Sequence, residues 1–350
     1  MDRKSLKDIS WLIDEPTYRA DEALSFSSIS KFYREGFSKL DQLFDKEESQ
    51  ALSFGSMVDC LMTEGEEEFN KRYFVCTIPL ISDDYKLVLN AIKEELGNIH
   101  ASLYDIPSAT IVSYLDRFGI YQNNWKVDTK ADKIREGANT YYQMMIKAGD
   151  KEVVSTEMAQ DAKDCAEAFK TSEATEFFFR EDNPFDGIER LHQLKFKGEY
   201  NGVKLKCMID LLVCDHNKKI IYIKDVKTTG DQEYQFAKSF MKWQYWMQAQ
   251  IYTYILKQNL AKDEYFKDFK VLDFGFLVIN KTNKVPLSWV FNQANCENDL
   301  VIEGKTRNVY LPNWRQYAVD LDCYLKLRPK TPKNISPIKE NSITEALKEW

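Results

Sequence analysis

The stretch KLKCMIDLLVCDHNKKIIYIKDVKTTG, Lys204 to Gly230, decides the fold. It reads as two β-strands joined by a tight turn. Val203 to Cys214 is rich in β-branched and apolar residues, as a buried strand requires. Asp215-His216-Asn217-Lys218 supplies turn chemistry. Lys219 to Lys227 forms the second strand, which breaks at Thr228-Thr229-Gly230. Each apolar run carries an acid where a core strand wants none: Asp210 between Ile209 and Leu211, Asp225 between Lys224 and Val226. A buried carboxylate is costly unless it is paired or bound to a cation. Asp225 and Lys227 lie two apart and share a face of their strand. Pairing of the two strands brings Asp210 to that face. Two carboxylates for a hard cation, with an ammonium beside them, are the parts needed for metal-assisted attack on a phosphodiester.

Working outward, Arg190 to Tyr200 reads as a strand, and Asn201-Gly202 is a strong hairpin signal. His192–Tyr200, Val203–Cys214 and Lys219–Lys227 are therefore expected to form an antiparallel meander. Gln193, Lys195 and Lys197 alternate along one face of its first strand. Beyond it, Phe236 to Leu260 is expected as one helix. There Gln248 and Tyr252, four apart, stack on one side, suited to holding a backbone phosphate or orienting Lys227. Two more strands are expected over Asp273–Asn280 and Val285–Phe291. Val301–Leu327 reads as helical, interrupted near Pro312. Lys330–Glu340 reads as extended, and Ser342-Ile343-Thr344-Glu345 is a capping box opening a terminal helix.

Upstream, Leu24-Ser25-Phe26-Ser27-Ser28 precedes an apolar-periodic run, a helix N-cap signal. Ser27 and Ser28 either cap that helix or hold a phosphate at its N-terminus. Phe54 to Met62 has helical spacing, with Phe54, Val58, Leu61 and Met62 on one face. Asp59 lies among them; either it is an exposed flank, or it or Glu64 is a third acid for the metal. Ile78 to Phe179 is expected to be a helical insertion packed beside the site, and Asn183–Gly187 a boundary turn. The expected division is 1–77 (N-terminal helical part), 78–183 (insertion), 184–328 (core) and 329–350 (extension).

Composition bounds the rest. Of 350 residues 44% are apolar and 29% charged, enough for a packed core in a water-soluble chain. The formal net charge of −7 excludes a general polycation. Any nucleic-acid contact must use a local basic surface; Arg190–Lys227, with nine basic and four acidic residues, is either that surface or a Lys-lined solvent face or edge strand. Seven scattered cysteines without a C-x-x-C pair indicate free thiols in a reducing cytoplasm and argue against zinc and iron–sulfur sites. Three isolated histidines give no support to a Ser-His-Asp triad. No signal peptide or membrane span is indicated.

Taken in order, Ile209-Asp210, Asp225-Val226-Lys227-Thr228-Thr229 and Gln248-Ala249-Gln250-Ile251-Tyr252 resemble the PD-(D/E)XK nuclease superfamily, and more narrowly its RecB-type and exonuclease VIII (RecE-like) phage or prophage branch. Leu24-Ser25-Phe26-Ser27-Ser28 is similar to that branch's Leu-Ser-x-Ser opening. Gly55-Ser56-Met57-Val58-Asp59 is similar to its Gly-(Ser/Thr)-x-x-His helix, with aspartate in place of a histidine that is often a metal ligand. The resemblance implies an α/β (α+β) fold: a central mixed sheet carrying the meander, flanked by helices around a restriction-endonuclease-like core, plus the helical insertion. It implies one or two Mg²⁺ or Mn²⁺ ions on Asp210, Asp225, the Val226 carbonyl and Asp59, with Lys227 assisting the attacking water. Oxygen ligands suit both ions. Ser27, Ser28, Thr228, Thr229, Gln248 and Tyr252 are expected to contact substrate. The implied activity is a DNA exonuclease resecting 5′ ends of double-stranded DNA in phage-type recombination. A single-strand annealing protein as partner and a homo-oligomeric ring follow from the resemblance alone. The alternative is a non-catalytic DNA-binding or assembly protein on a decayed nuclease fold, to which the Asp59 departure gives support.

Overall fold

The computed structural model describes residues 3–44, 49–77, 81–121, 124–183 and 185–327. The Lys330–Glu340 segment and the Ser342 capping box lie outside the described residues.

In chain order the elements are α1 (Glu15–Ala20), α2 (Phe26–Glu35), α3 (Gln50–Thr63), α4 (Gly65–Arg72), β1 (Tyr73–Cys76), α5 (Asp83–Leu96), α6 (Ser108–Arg117), α7 (Val127–Ala148), β2 (Glu152–Ser155), α8 (Thr156–Thr171) and α9 (Glu176–Phe179). The sheet then begins with β3 (Ile188–Tyr200), β4 (Val203–Asp215) and β5 (Ile220–Thr229). It is followed by α10 (Phe236–Lys242), α11 (Tyr245–Leu260), β6 (Lys270–Val271), β7 (Phe274–Asn280), β8 (Leu287–Phe291), β9 (Leu300–Ile302), β10 (Val309–Leu311) and α12 (Trp314–Leu327). The central sheet runs β3-β4-β5-β7-β8, with β6 beside β5. The meander β3-β4-β5 is antiparallel, β5 and β7 are parallel, and β8 returns antiparallel, so the sheet is mixed.

The meander forms where expected because its turns are chemically specified. Asn201 and Gly202 both take positive φ, +49° and +79°, the two left-handed residues of a tight hairpin. Asp215 accepts from the Lys218 N–H at 2.9 Å and closes the next turn.

Helices cover both faces. On one, α2, α11 and α12 pack against Leu205, Cys207, Ile209, Ile221, Ile223 and Phe276. On the other, α3 and α8 pack against Leu211, Val213, Leu277 and Ile279. Helices α5, α6 and α7 bury a separate core around Leu89, Ile111, Ile134 and Tyr142. Among the described residues no helix is long and apolar enough to cross a membrane. All seven cysteines are free.

Three expectations are corrected. Phe236–Leu260 is not one helix. The chain breaks between α10 and α11 at Gln244, whose φ of +55° is left-handed. Its amide donates to the carbonyls of Met241 and Lys242, satisfying the end of α10. Val301–Leu327 is not helical throughout either: Leu300–Ile302 pairs antiparallel with Val309–Leu311, and the helix begins only at Trp314. Tyr73–Cys76 and Glu152–Ser155, read as parts of helical segments, form a parallel pair.

Candidate active site

The chemistry collects where β4 leaves β5. The β4–β5 ladder runs from Asp215↔Ile220 to Leu211↔Lys224 and stops. The next residues in that register are Asp210 and Asp225. Strand β4 changes face there: Leu205, Cys207 and Ile209 belong to the α11 side, and so do Leu212 and Cys214. The alternation slips by one residue around Asp210. Strand β3 slips at the same level, between Leu191 and Leu194. Its Gln193 takes φ +53° and is skipped in the β3–β4 ladder. A positive φ in a non-glycine residue is a local cost that the surrounding pairing must hold. The result is a gap between strands, lined by polar groups instead of ladder bonds.

Asp210 fills the first part of that gap. Its Oδ2 accepts the Val226 backbone N–H at 3.0 Å. Gln193 Nε2 donates to Asp59 Oδ2 at 2.8 Å and lies 3.5 Å from Asp210 Oδ1. Gln248, buried in α11, donates to Asp225 Oδ1 at 2.6 Å. Lys227 forms an ion pair with Asp225 Oδ2. Its Nζ also sits 4.9 Å from the centroid of the Tyr245 ring. Asp59 arrives from α3, which docks closely on β5: a Cβ on Gly55 would stand 3.3 Å from Thr228 Oγ1.

The electrostatics are unbalanced. Were all three acids ionised, three carboxylates and one ammonium would leave two negative charges uncompensated in a largely buried space. Burial, then Asp225, push the Asp59 carboxyl up to about 7. Burial, then Asp225 and Asp59, hold Asp210 well above the usual carboxylate range. Burial opposes the Lys227 ammonium, but Asp225, Tyr245 and Asp210 outweigh it and keep its pKa above the ordinary lysine value. Asp59 Oδ1 is buried without a partner, and Asp225 Oδ2 has only the Lys227 ammonium. A buried carboxylate oxygen without a partner, beside like charges, is what a divalent cation would satisfy. Among the described residues, however, no three His, Cys, Asp or Glu side chains are already arranged to hold a metal ion. Gln193 and Lys227 stand among the carboxylates instead.

The remaining expected site residues separate. Glu64 stands at the end of α3 and pairs with Arg72; it reaches the cluster only as a further like charge on Asp59. Ser28 is buried and serves the capping reading: its Oγ accepts the Ser25 N–H at 2.9 Å and donates to the Ser25 carbonyl. Ser27 is exposed and bonds Ser25 Oγ at 2.8 Å. Thr228 and Thr229 line a cleft that opens beside Lys227. Gln248 spends its amide on Asp225. Tyr252 packs edge-on against Phe274, and burial holds its hydroxyl well above the usual tyrosine range. In sequence Gln193 shows only as one of three alternating polar residues on its strand. Its place directly across the hairpin from Asp210 was the available signal.

A mixed sheet with carboxylates on adjacent strands, and a lysine two residues past the second, is the arrangement of a PDDEXK-like fold. The chain belongs to the DUF3799 family, described as a PDDEXK-like domain of unknown function, whose model matches residues 25–284. No curated protein matches the chain. Among solved structures, the crystal structure of a "putative exonuclease" from Eubacterium rectale shares 13% identity, over 96% of this chain and 98% of that one, with a TM-score of 0.40. A likeness of that size carries no argument about this chain.

Proposed function

We propose that the protein is a nuclease that hydrolyses DNA phosphodiester bonds with Mg²⁺ or Mn²⁺, one or two ions. The observation that carries this reading is the meeting of Asp210, Asp225 and Lys227 at the end of the β4–β5 ladder, with Asp59 entering from α3. Asp210 and Asp225 would hold the ion, with the Val226 carbonyl and Asp59 as further oxygen ligands. When bound, the ion would lower the pKa of a water and offset charge developing on the phosphate. Lys227 orients that water or neutralises the charge beside it. Gln248 fixes one oxygen of Asp225, which leaves the other turned toward Lys227. Gln193 holds Asp59 and Asp210 within reach of each other.

The finer reading is an exonuclease of the RecE-like kind that resects 5′ ends of double-stranded DNA, works with a single-strand annealing protein and assembles as a ring. It is supported by the motif order alone. The test is to incubate linear and circular DNA with Mg²⁺, Mn²⁺ or chelator. Nucleotide release from linear DNA that requires the metal supports an exonuclease. Nicking or linearisation of the circle supports an endonuclease on the same site. Inertness with every metal contradicts the enzymatic reading and favours a DNA-binding protein on a decayed fold.

A further inference from the structure

The cleft beside Lys227 continues outward to the α10–α11 corner. It has a volume of about 260 Å³, and its walls include Lys227, Thr228, Ser239, Lys242, Trp243 and Tyr245. Trp243 is 40% exposed at its mouth. Two cations flank the indole: Lys242 Nζ lies 4.8 Å from its centroid and the Arg34 guanidinium 5.5 Å. Among the described residues neither cation is in an ion pair. The corner is held in place. Gln244 takes a left-handed φ of +55°, is buried, and accepts from Arg34 at 3.1 Å while donating to the two carbonyls that end α10. A rigid, strained corner thus displays one aromatic face with a positive charge on either side: Trp243 and Lys242 line the cleft that leads to the ion-paired lysine, and Arg34 reaches the indole from α2 outside that lining. Asp231 is the one acid among the cleft's lining residues.

We infer that Trp243, with Arg34 and Lys242, forms a stacking platform for an unpaired nucleotide of a DNA strand entering the site. This rests on the nuclease reading and names its substrate more narrowly: a frayed or single-stranded end. An aromatic face flanked by cations suits a base and its phosphates, because every base offers a π-face and the backbone is anionic. A base still stacked within a duplex has no free face to offer. The Lys227 end of the cleft then receives the phosphate next along the strand. Gln244 acts through Trp243 and Arg34 as a positioning residue.

The test uses the full chain in chelator, so that binding is read without cleavage. Oligonucleotides carrying 2-aminopurine near one end are titrated as single strands, as overhang duplexes and as blunt duplexes. The expected results are tighter binding of the single-stranded and overhang forms and quenching of the 2-aminopurine. Trp243→Ala should weaken that binding about ten-fold or more and abolish the quenching, and Trp243→Phe should keep part of both. Lys242→Ala should weaken binding and flatten its salt dependence while leaving the quenching. Unchanged binding and quenching in Trp243→Ala would overturn the inference, as would equal affinity for blunt duplex. Tighter binding of the RNA oligomer of the same sequence would overturn the assignment to DNA. Cleavage assays in Mn²⁺ separate the two proposals. A wild type that cleaves while Trp243→Ala matches it in KM and kcat sinks the platform alone. A wild type that binds through Trp243 but never cleaves sinks the nuclease reading alone.

Discussion

Val226 donates its backbone N–H to Asp210 Oδ2 at 3.0 Å, so a side chain of one strand takes the place of a ladder bond to the next. This substitution keeps β4 and β5 adjacent while their backbones part. It explains how an acid can sit in the middle of an apolar strand. It also fixes Asp210 close to Asp225, at an energetic cost that the apoprotein carries because two like charges share a buried space.

Asp210→Asn should therefore separate stability from activity. The amide keeps an oxygen for the Val226 N–H and removes a charge held near Asp225 and Asp59. In chelator near pH 8 the variant should gain about 1–3 kcal/mol, read by urea denaturation. Its metal-dependent DNA cleavage should fall by at least a hundred-fold. A variant no more stable than wild type would mean that Asp210 is not strained by its neighbours.

The pH dependence has a definite sign. The folded Asp59 carboxyl, at about 7, lies above its unfolded value of 3.8, and Asp210 is raised in the same direction. The native state then binds more protons than the unfolded state between those values, so apoprotein stability falls as pH rises from about 4 to 7. A cation that binds the ionised acids reverses this. Mn²⁺ should raise the Tm markedly at pH 8 and little at pH 5. Equal shifts at both values would place the ion elsewhere.

Gln193→Ala removes the donor that links Asp59 to Asp210 and places a residue with no compensating contact at φ +53°. Cleavage should weaken about ten-fold, with a higher Mn²⁺ concentration needed for half-maximal rate. Gln193→Gly, which relieves the backbone but also lacks the amide, should share the metal defect while unfolding at a higher temperature than Gln193→Ala.

Lys224 offers a contrast outside the site. It is buried in β5, its Nζ 4.8 Å from the Phe178 ring, with no ion pair among the described residues. Burial lowers its pKa to about 8. Gly275 on β7 leaves it room, since a Cβ there would meet its side chain. Lys224→Met should raise stability near pH 7 by about 1–2 kcal/mol in thermal or urea unfolding and leave DNA cleavage unchanged.

The local parts of this structure were readable from local signals. Asn201-Gly202 and Asp215–Lys218 specify their turns, and the interrupted apolar runs mark Asp210 and Asp225. What was not readable depends on tertiary docking. Asp59 has the same neighbours in sequence whether α3 shows it to water or presses it toward β5; only the packing of Phe54, Met57 and Val58 on the sheet decides. Gln244 has no glycine-like signature, because its left-handed turn is held by its own amide and by Arg34 from α2. The short β9–β10 pair gives too few residues to show a period of two against the helical reading of Val301–Leu327. The slip in strand alternation around Asp210, which creates the gap, depends on matching distortions in β3 and β4.

The central claim is that Asp210 and Asp225 share one cation at the end of the β4–β5 ladder. The most direct measurement is anomalous diffraction from crystals of the wild-type protein soaked in Mn²⁺. The account predicts a manganese peak within about 2.5 Å of a carboxylate oxygen of each residue, with Lys227 turned aside from Asp225. A peak bound to other residues, or no peak between these two at a Mn²⁺ concentration that supports cleavage, would contradict it.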